Sequence, residues 1–203
     1  MTPLVFKYLG GQVKVFKRMN NMSWIPKEIE NYCLSHCSSP SDIAKELQHY
    51  TLTNIHGSHM LIGELEGSLL QFLIRLGKVK KILEFGTYTG YSSLIMAEAM
   101  PDDGRLITVD INPHTTKIAQ EFWNRSAHGK KIDLILKPGR EALPELSSYG
   151  PFDLIFIDAD KNGYPQYLDW GVNHLSSRGM IITDNTLWSG KILSQGLDPQ
   201  TDS

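Results

Sequence analysis

The segment FDLIFIDADKNGY, Phe152 to Tyr164, is apolar like a buried strand and then ends in Asp158, Ala159, Asp160 and Lys161. A strand that merely stops can use Gly, Asn or Pro. Carboxylates and an ammonium at that point suggest a charged ligand. A second apolar run ends in TDN, with Asp184 and Asn185. Carboxylates and an amide oxygen from neighbouring strand ends would form a hard, all-oxygen, incomplete cation site. Mg²⁺, Mn²⁺ or Ca²⁺ suits it, with positions left for water or substrate. Either motif alone reads as a solvated turn; their joint placement favours the metal. A cation nearby disfavours the Lys161 ammonium and frees its amine to act as a base, while acidifying a hydroxyl held beside it. The plainer reading of Lys161 is a surface salt bridge to Asp160, worth ~0–1 kcal/mol.

A second constellation precedes it. LEFGTYTGYSS places Gly86 and Gly90 in a tight strand-to-helix turn, with Glu84 before it and Ser92 and Ser93 opening the next helix. Glycine there permits close approach of backbone to ligand. Asp110, at the end of the following strand, can take both hydroxyls of a ribose, or else cap the helix near Asn112 and Pro113. A dinucleotide site would want G-x-G-x-x-G around a pyrophosphate. The spacing here differs, and Glu84 would repel phosphate. A cationic ligand with an amino group fits better, and S-adenosylmethionine has that chemistry.

The elements that must position these groups alternate. KKILEF, RLITVD, KIDLIL, FDLIFID and GMIITD read as strands. YSSLIMAEAM, HTTKIAQEFWNRSA, REALPELSSY and YPQYLDWGVNHLSS read as the helices between them. SDIAKELQHYT, with a Ser/Asp cap, and LIGELEGSLLQFLIRLG, stopped by Gly77, read as two helices before the first strand. Such alternation predicts an α/β, doubly wound, mainly parallel sheet with helices on both faces. Ligands then bind beyond the carboxyl ends of the strands. We expect an N-terminal extension over residues 1–25, poorly ordered, and a single domain over 26–203; Met22 could serve as the start.

Composition supports this frame. Of 203 residues, 41% are hydrophobic and 21% charged, an ordinary globular balance. A net charge of -2 gives no electrostatic reason to expect nucleic acid. No apolar run is long enough to span a membrane. Cys33 and Cys37 read as structural thiols in a reducing cytoplasm rather than a metal pair with His36. His56 and His59 could line an entrance but read as solvated loop residues. Tyr164, Tyr167 and Trp170 read as core packing.

Together LEFGTYTGYSSL, VDIN, FIDADKNGY and DNTLWSG resemble the cation-dependent class I O-methyltransferases of caffeoyl-CoA and catechol type, especially the small bacterial members. The resemblance runs from about Pro26 to Gly190. It implies a Rossmann-like methyltransferase fold, S-adenosylmethionine as donor, a vicinal dihydroxy aromatic as small-molecule acceptor, and a homodimer. It makes Asp158, Asp184 and Asn185 the metal ligands and Lys161 the base, with Asp158 beside it. Glu84, Gly86, Ser92, Asp110 and also Asp158 become donor ligands, Tyr88 and Thr89 give backbone contacts, and Ile62 touches the donor. Asp160 falls near the methionine end, Glu141 on the adenine side, and Trp188 and Ser189 at the acceptor pocket.

The family's chain continues past DNTLWSG into a further helix and an antiparallel hairpin. Here the sequence stops at Ser203 in a polar tail, so that hairpin is expected to be missing. Two other readings follow: a catalytically impaired S-adenosylmethionine-binding protein or fragment, and a nicotinamide-dependent oxidoreductase. The glycine spacing and the second acidic site disfavour the oxidoreductase.

Overall fold

The computed structural model describes residues 5–9, 12–16 and 25–187. They fall into two compact units, Met1–Cys37 and Ser38–Ser203. The first contains an antiparallel pair, β1 (Val5–Leu9) and β2 (Gln12–Phe16), and helix α1 (Lys27–Ser35).

The second unit opens with α2 (Asp42–Asn54), whose Ser41 cap accepts the Ala44 N–H at 3.2 Å. Ser41 was read as this cap from sequence, and the bond satisfies one of the amides that a helix start leaves unpaired. Helix α3 (Glu64–Gly77) follows; Gly77 is its last helical residue and Lys78 takes the left-handed cap. The alternating elements are then β3 (Lys81–Phe85), α4 (Tyr91–Ala99), β4 (Arg105–Asp110), α5 (Pro113–Trp123), β5 (Ile132–Leu136), α6 (Gly139–Leu146), β6 (Phe152–Ile157), α7 (Tyr164–Val172) and β7 (Leu175–Thr183). Asn112, rather than Asp110, caps α5 by accepting the His114 and Thr115 amides.

Strand order in the sheet is β5-β4-β3-β6-β7, all neighbours parallel. This is a Rossmann-like α/β sheet, as the alternation predicted. Order reverses around β3, and the crevice beyond the strand ends there is where such sheets bind ligands.

One boundary differs from the sequence reading. HLSS was assigned to the helix before the last strand, yet Leu175, Ser176 and Ser177 already belong to β7. Leu175 pairs with Phe152, and a register shift separates this pair from Leu154 and Met180. The Ser176 hydroxyl donates to Asp153 at 2.9 Å. Two serines hide the alternation of a strand, and a side-chain bond across a bulge holds them in it.

Alternation along β3 sorts the core. Ile82 packs with Leu70, Ile74, Leu94, Ile95, Trp123 and Phe156 on one face. Leu83 and Phe85 pack with Ile107, Val109, Leu146, Ile155 and Tyr167 on the other. Glu84 takes Ile82's side, toward α4, and is wholly buried. Among the described residues no helix is long and apolar enough to cross a membrane.

Candidate active site

Strand register brings the acidic residues together. The Asp158 amide extends the ladder by donating to the Phe85 carbonyl at 2.9 Å, and the Asp184 amide donates to Ile157 at 3.0 Å. Ile157 lies opposite both Phe85 and Thr183. The residues that follow these strands therefore emerge side by side.

A cavity of about 920 Å³ lies over these ends. Of the residues singled out from sequence, Ile62, Gly86, Tyr88, Ser92, Asp110, Glu141, Asp158, Asp160, Lys161 and Asn185 line it. Glu84, Thr89 and Asp184 are not on its wall. His56 and His59 are, although the sequence reading left them to solvent. Trp188 and Ser189 lie outside the described residues.

The glycine turn is shaped from within. Gly86 has φ 98°, and a Cβ there would stand 1.9 Å from the Asp158 carbonyl oxygen. Gly90 has φ 80°, and a Cβ would meet Ala119 and the Trp123 ring at 2.6 Å. Both glycines are thus required by packing between elements, as well as by the left-handed backbone. Thr89 is buried, and its hydroxyl accepts from Thr51 at 2.9 Å.

Asp110 holds this turn. One carboxylate oxygen accepts the Thr87 and Tyr88 amides at 2.9 and 2.8 Å; the other accepts Asn112 N–H at 2.8 Å. A carboxylate has about four acceptor positions, so capacity is left for a hydroxyl in the cavity.

Beneath the turn, Glu84 accepts the Ser92 hydroxyl at 2.5 Å and also that of Ser93. Burial pushes its carboxyl up to about 7, against the pull of the Ser92, Ser93 and Thr108 hydroxyls, and Asp158 adds repulsion. The carboxylate therefore anchors the first turn of α4, through which it acts on the cavity. Tyr91 lines the cavity while its own hydroxyl is buried with no hydrogen-bond partner among the described residues.

Negative charge concentrates at the ends of β6 and β7. Asp158 is pushed up to about 6 by burial first and then by the charge of Asp184, with Lys161 pulling it down. Glu66, in the first turn of α3, is pushed up to about 7 by burial and then by the charges of Asp184 and Asp158. Asn185 sits in the left-handed region at φ 55°, a conformation Asn tolerates, and its amide donates to the Asp184 carboxylate at 2.5 Å. Among the described residues no three His, Cys, Asp or Glu side chains form a metal cage. The oxygen set is two aspartates and an amide, in a field negative enough to raise two carboxyl groups. Those residues fit a hard divalent cation.

Lys161, on a short 3-10 turn, brings the positive charge. Its Nζ lies 3.8 Å from Asp158 and donates to Asn185 Oδ1 at 3.3 Å and to the Tyr164 hydroxyl at 2.5 Å. The salt bridge to Asp160 entertained from sequence is replaced by this set. Asp160 accepts the Tyr167 hydroxyl at 2.7 Å and pairs with Arg140 at 3.5 Å. Tyr167, read as packing, does pack on Phe85 with centroids 4.3 Å apart, and it also lines the cavity.

Glu66, Tyr164 and Arg140 were thus missed. Glu66 reads in sequence as an ordinary acidic residue at a helix start, and Tyr164 as an apolar helix position. The spacing Lys161 to Tyr164, one helical turn, was the available signal for the second.

Fold and strand-end cavity together make this an α/β protein of Rossmann-like architecture with an acidic cluster at its strand ends. The chain belongs to the O-methyltransferase family, whose model matches residues 34–202. It is 36% identical to the probable caffeoyl-CoA O-methyltransferase 2 of Dictyostelium discoideum, over 81% of this chain and 72% of that protein. It is 38% identical to the catechol O-methyltransferase of Niastella koreensis, over 64% of this chain and 60% of that one. The SAH-bound methyltransferase of Podospora anserina superposes with a TM-score of 0.76 at 28% identity, covering 93% of this chain and 80% of that chain.

Proposed function

We propose that this O-methyltransferase moves the methyl of S-adenosylmethionine to one oxygen of a vicinal dihydroxy aromatic, with a divalent cation at Asp158, Asp184 and Asn185. The reading is carried by one observation: Asp158, Asn185 and Lys161 meet at adjoining strand ends on the wall of the cavity that Asp110 and the glycine turn enclose. Bound there, Mg²⁺, Mn²⁺ or Ca²⁺ would supply Lewis acidity to a neighbouring hydroxyl and hold two oxygens in register.

The chain's own groups do the rest. Asp110 binds the ribose hydroxyls, and Ser92 and Gly86 border the donor. Asp160, fixed by Tyr167 and Arg140, faces its amino-acid end; Ile62 touches the donor and Glu141 lies on its adenine side. Lys161 takes the proton of the reacting hydroxyl on Nζ. A C–O bond then forms as the methyl–sulfur bond breaks, and the donor leaves as a neutral thioether. Alignment of oxygen and methyl supplies much of the rate.

A homodimer in the cytoplasm completes the reading. Leu69, Phe72 and Leu76 stand exposed along α3, which supports a self-association face. The test is product analysis with labelled S-adenosylmethionine, offering catechols and matched monophenols. Methylation of the catechols alone supports the reading; equal methylation of monophenols contradicts the paired-oxygen requirement.

A further inference from the structure

Among the described residues, the nearest polar neighbour of Lys161 Nζ is none of the three proposed metal ligands. It is the Tyr164 hydroxyl, at 2.5 Å, against 3.3 Å to Asn185 and 3.8 Å to Asp158. The same ammonium lies 4.3 Å from the centre of the Tyr164 ring. Tyr164 in turn donates its hydroxyl proton to the Asp184 backbone carbonyl at 3.2 Å. The chain of bonds therefore has a direction: Lys161 to Tyr164 to the end of β7.

That direction has a chemical consequence. With its proton committed to a carbonyl, the hydroxyl can only accept from Nζ. It holds the amine without donating to the amine's lone pair. A lysine side chain is a flexible four-carbon stem, and Lys161 sits on a short turn, 34% exposed. Tyr164 begins α7, with Pro165 in the first turn fixing the entry, and is half-buried. Its hydroxyl is the rigid partner of the pair. Without it, Nζ is free to tighten the 3.8 Å ion pair it already makes with Asp158, and that would tie up base and carboxylate together.

We infer that Tyr164 is the positioning residue of Lys161, holding its amine on the cavity wall and off Asp158. This rests on the proposed role of Lys161 as base.

The experiment compares Tyr164→Phe, Lys161→Ala and the double variant in methyl transfer to a catechol with Mg²⁺. It also measures competitive acetylation of Lys161, against the exposed Lys45 as internal standard, by mass spectrometry. Phe keeps the ring and its packing, so the melting temperature should stay near wild type. Tyr164→Phe should lower kcat on the order of 10- to 100-fold, with KM for either substrate within about twofold. In the Lys161→Ala background it should add nothing. Acetylation of Lys161 should slow severalfold in Tyr164→Phe, because the ammonium is then held against Asp158 and its lone pair is less available.

Wild-type turnover in Tyr164→Phe, or an equal loss with and without Lys161, overturns the inference. Full turnover in Lys161→Ala instead removes the base assignment. The acetylation rate still decides the contact in that case, and an unchanged rate overturns it.

Discussion

A Cβ on Gly86 would stand 1.9 Å from the backbone carbonyl of Asp158. The turn at the donor side and the strand end that carries the proposed cation site are therefore pressed together through one missing side chain. Whatever moves one moves the other.

Gly86→Ala is expected to destabilise the fold through left-handed strain and overpacking, each worth about 1–3 kcal/mol. Urea unfolding measures the sum. The folded fraction should also bind donor more weakly, because relief of the clash displaces both strand ends. An alanine variant of wild-type stability would mean that the two strand ends are not rigidly coupled.

Glu84 makes stability depend on pH with a definite sign. Its carboxyl is raised from 4.5 to about 7 by burial. Between those values the unfolded chain has lost the proton that the folded chain keeps, so stability falls as pH rises. The loss is complete above about pH 7, where it amounts to about 3 kcal/mol. Below 4.5 both states are protonated and the contribution is intact. Glu84→Gln should flatten the decline between pH 5 and pH 8 in urea midpoints; an unchanged slope would exclude Glu84 as its source.

Lys131 offers a prediction remote from the cavity. It is 3% exposed, and its ammonium donates to the Ala97 and Met100 carbonyls at 3.1 and 2.8 Å, closing the end of α4. Lys131→Met leaves those carbonyls unpaired in the core and should cost about 1–3 kcal/mol. Catalysis at saturating substrate should be nearly untouched, since Lys131 lies at the opposite end of α4 from Ser92.

The legible parts of this molecule share a property: their signal is local. An acidic residue that terminates an apolar run announces itself, which is why Asp110, Asp158 and Asp184 could be placed at strand ends without coordinates. The parallel, doubly wound sheet follows from the same alternation and the handedness of crossovers. Glu66 and Arg140 were illegible because they reach the site from helix starts that pack over it, where their residue types are unremarkable. Glu84 was legible as an acidic residue at a strand end, but the direction of its side chain was not. Only the alternation of β3 against α4 shows that its carboxylate is spent on Ser92 and Ser93 rather than facing the cavity. The β7 start was lost because Ser176 and Ser177 carry no apolar alternation.

Asp158→Ala should abolish cation-stimulated turnover, yet leave donor binding by calorimetry within about tenfold of wild type. Loss of both together would place Asp158 in the donor site rather than at a cation.

We propose that methyl transfer depends on a divalent cation, which Asp158, Asp184 and Asn185 would hold. The most direct measurement is label transfer from S-adenosylmethionine to a catechol, with Mg²⁺ and then with excess chelator. Methylated catechol should form with Mg²⁺, disappear with chelator and return when Mg²⁺ is restored. Methylation at the same rate in chelator would contradict it.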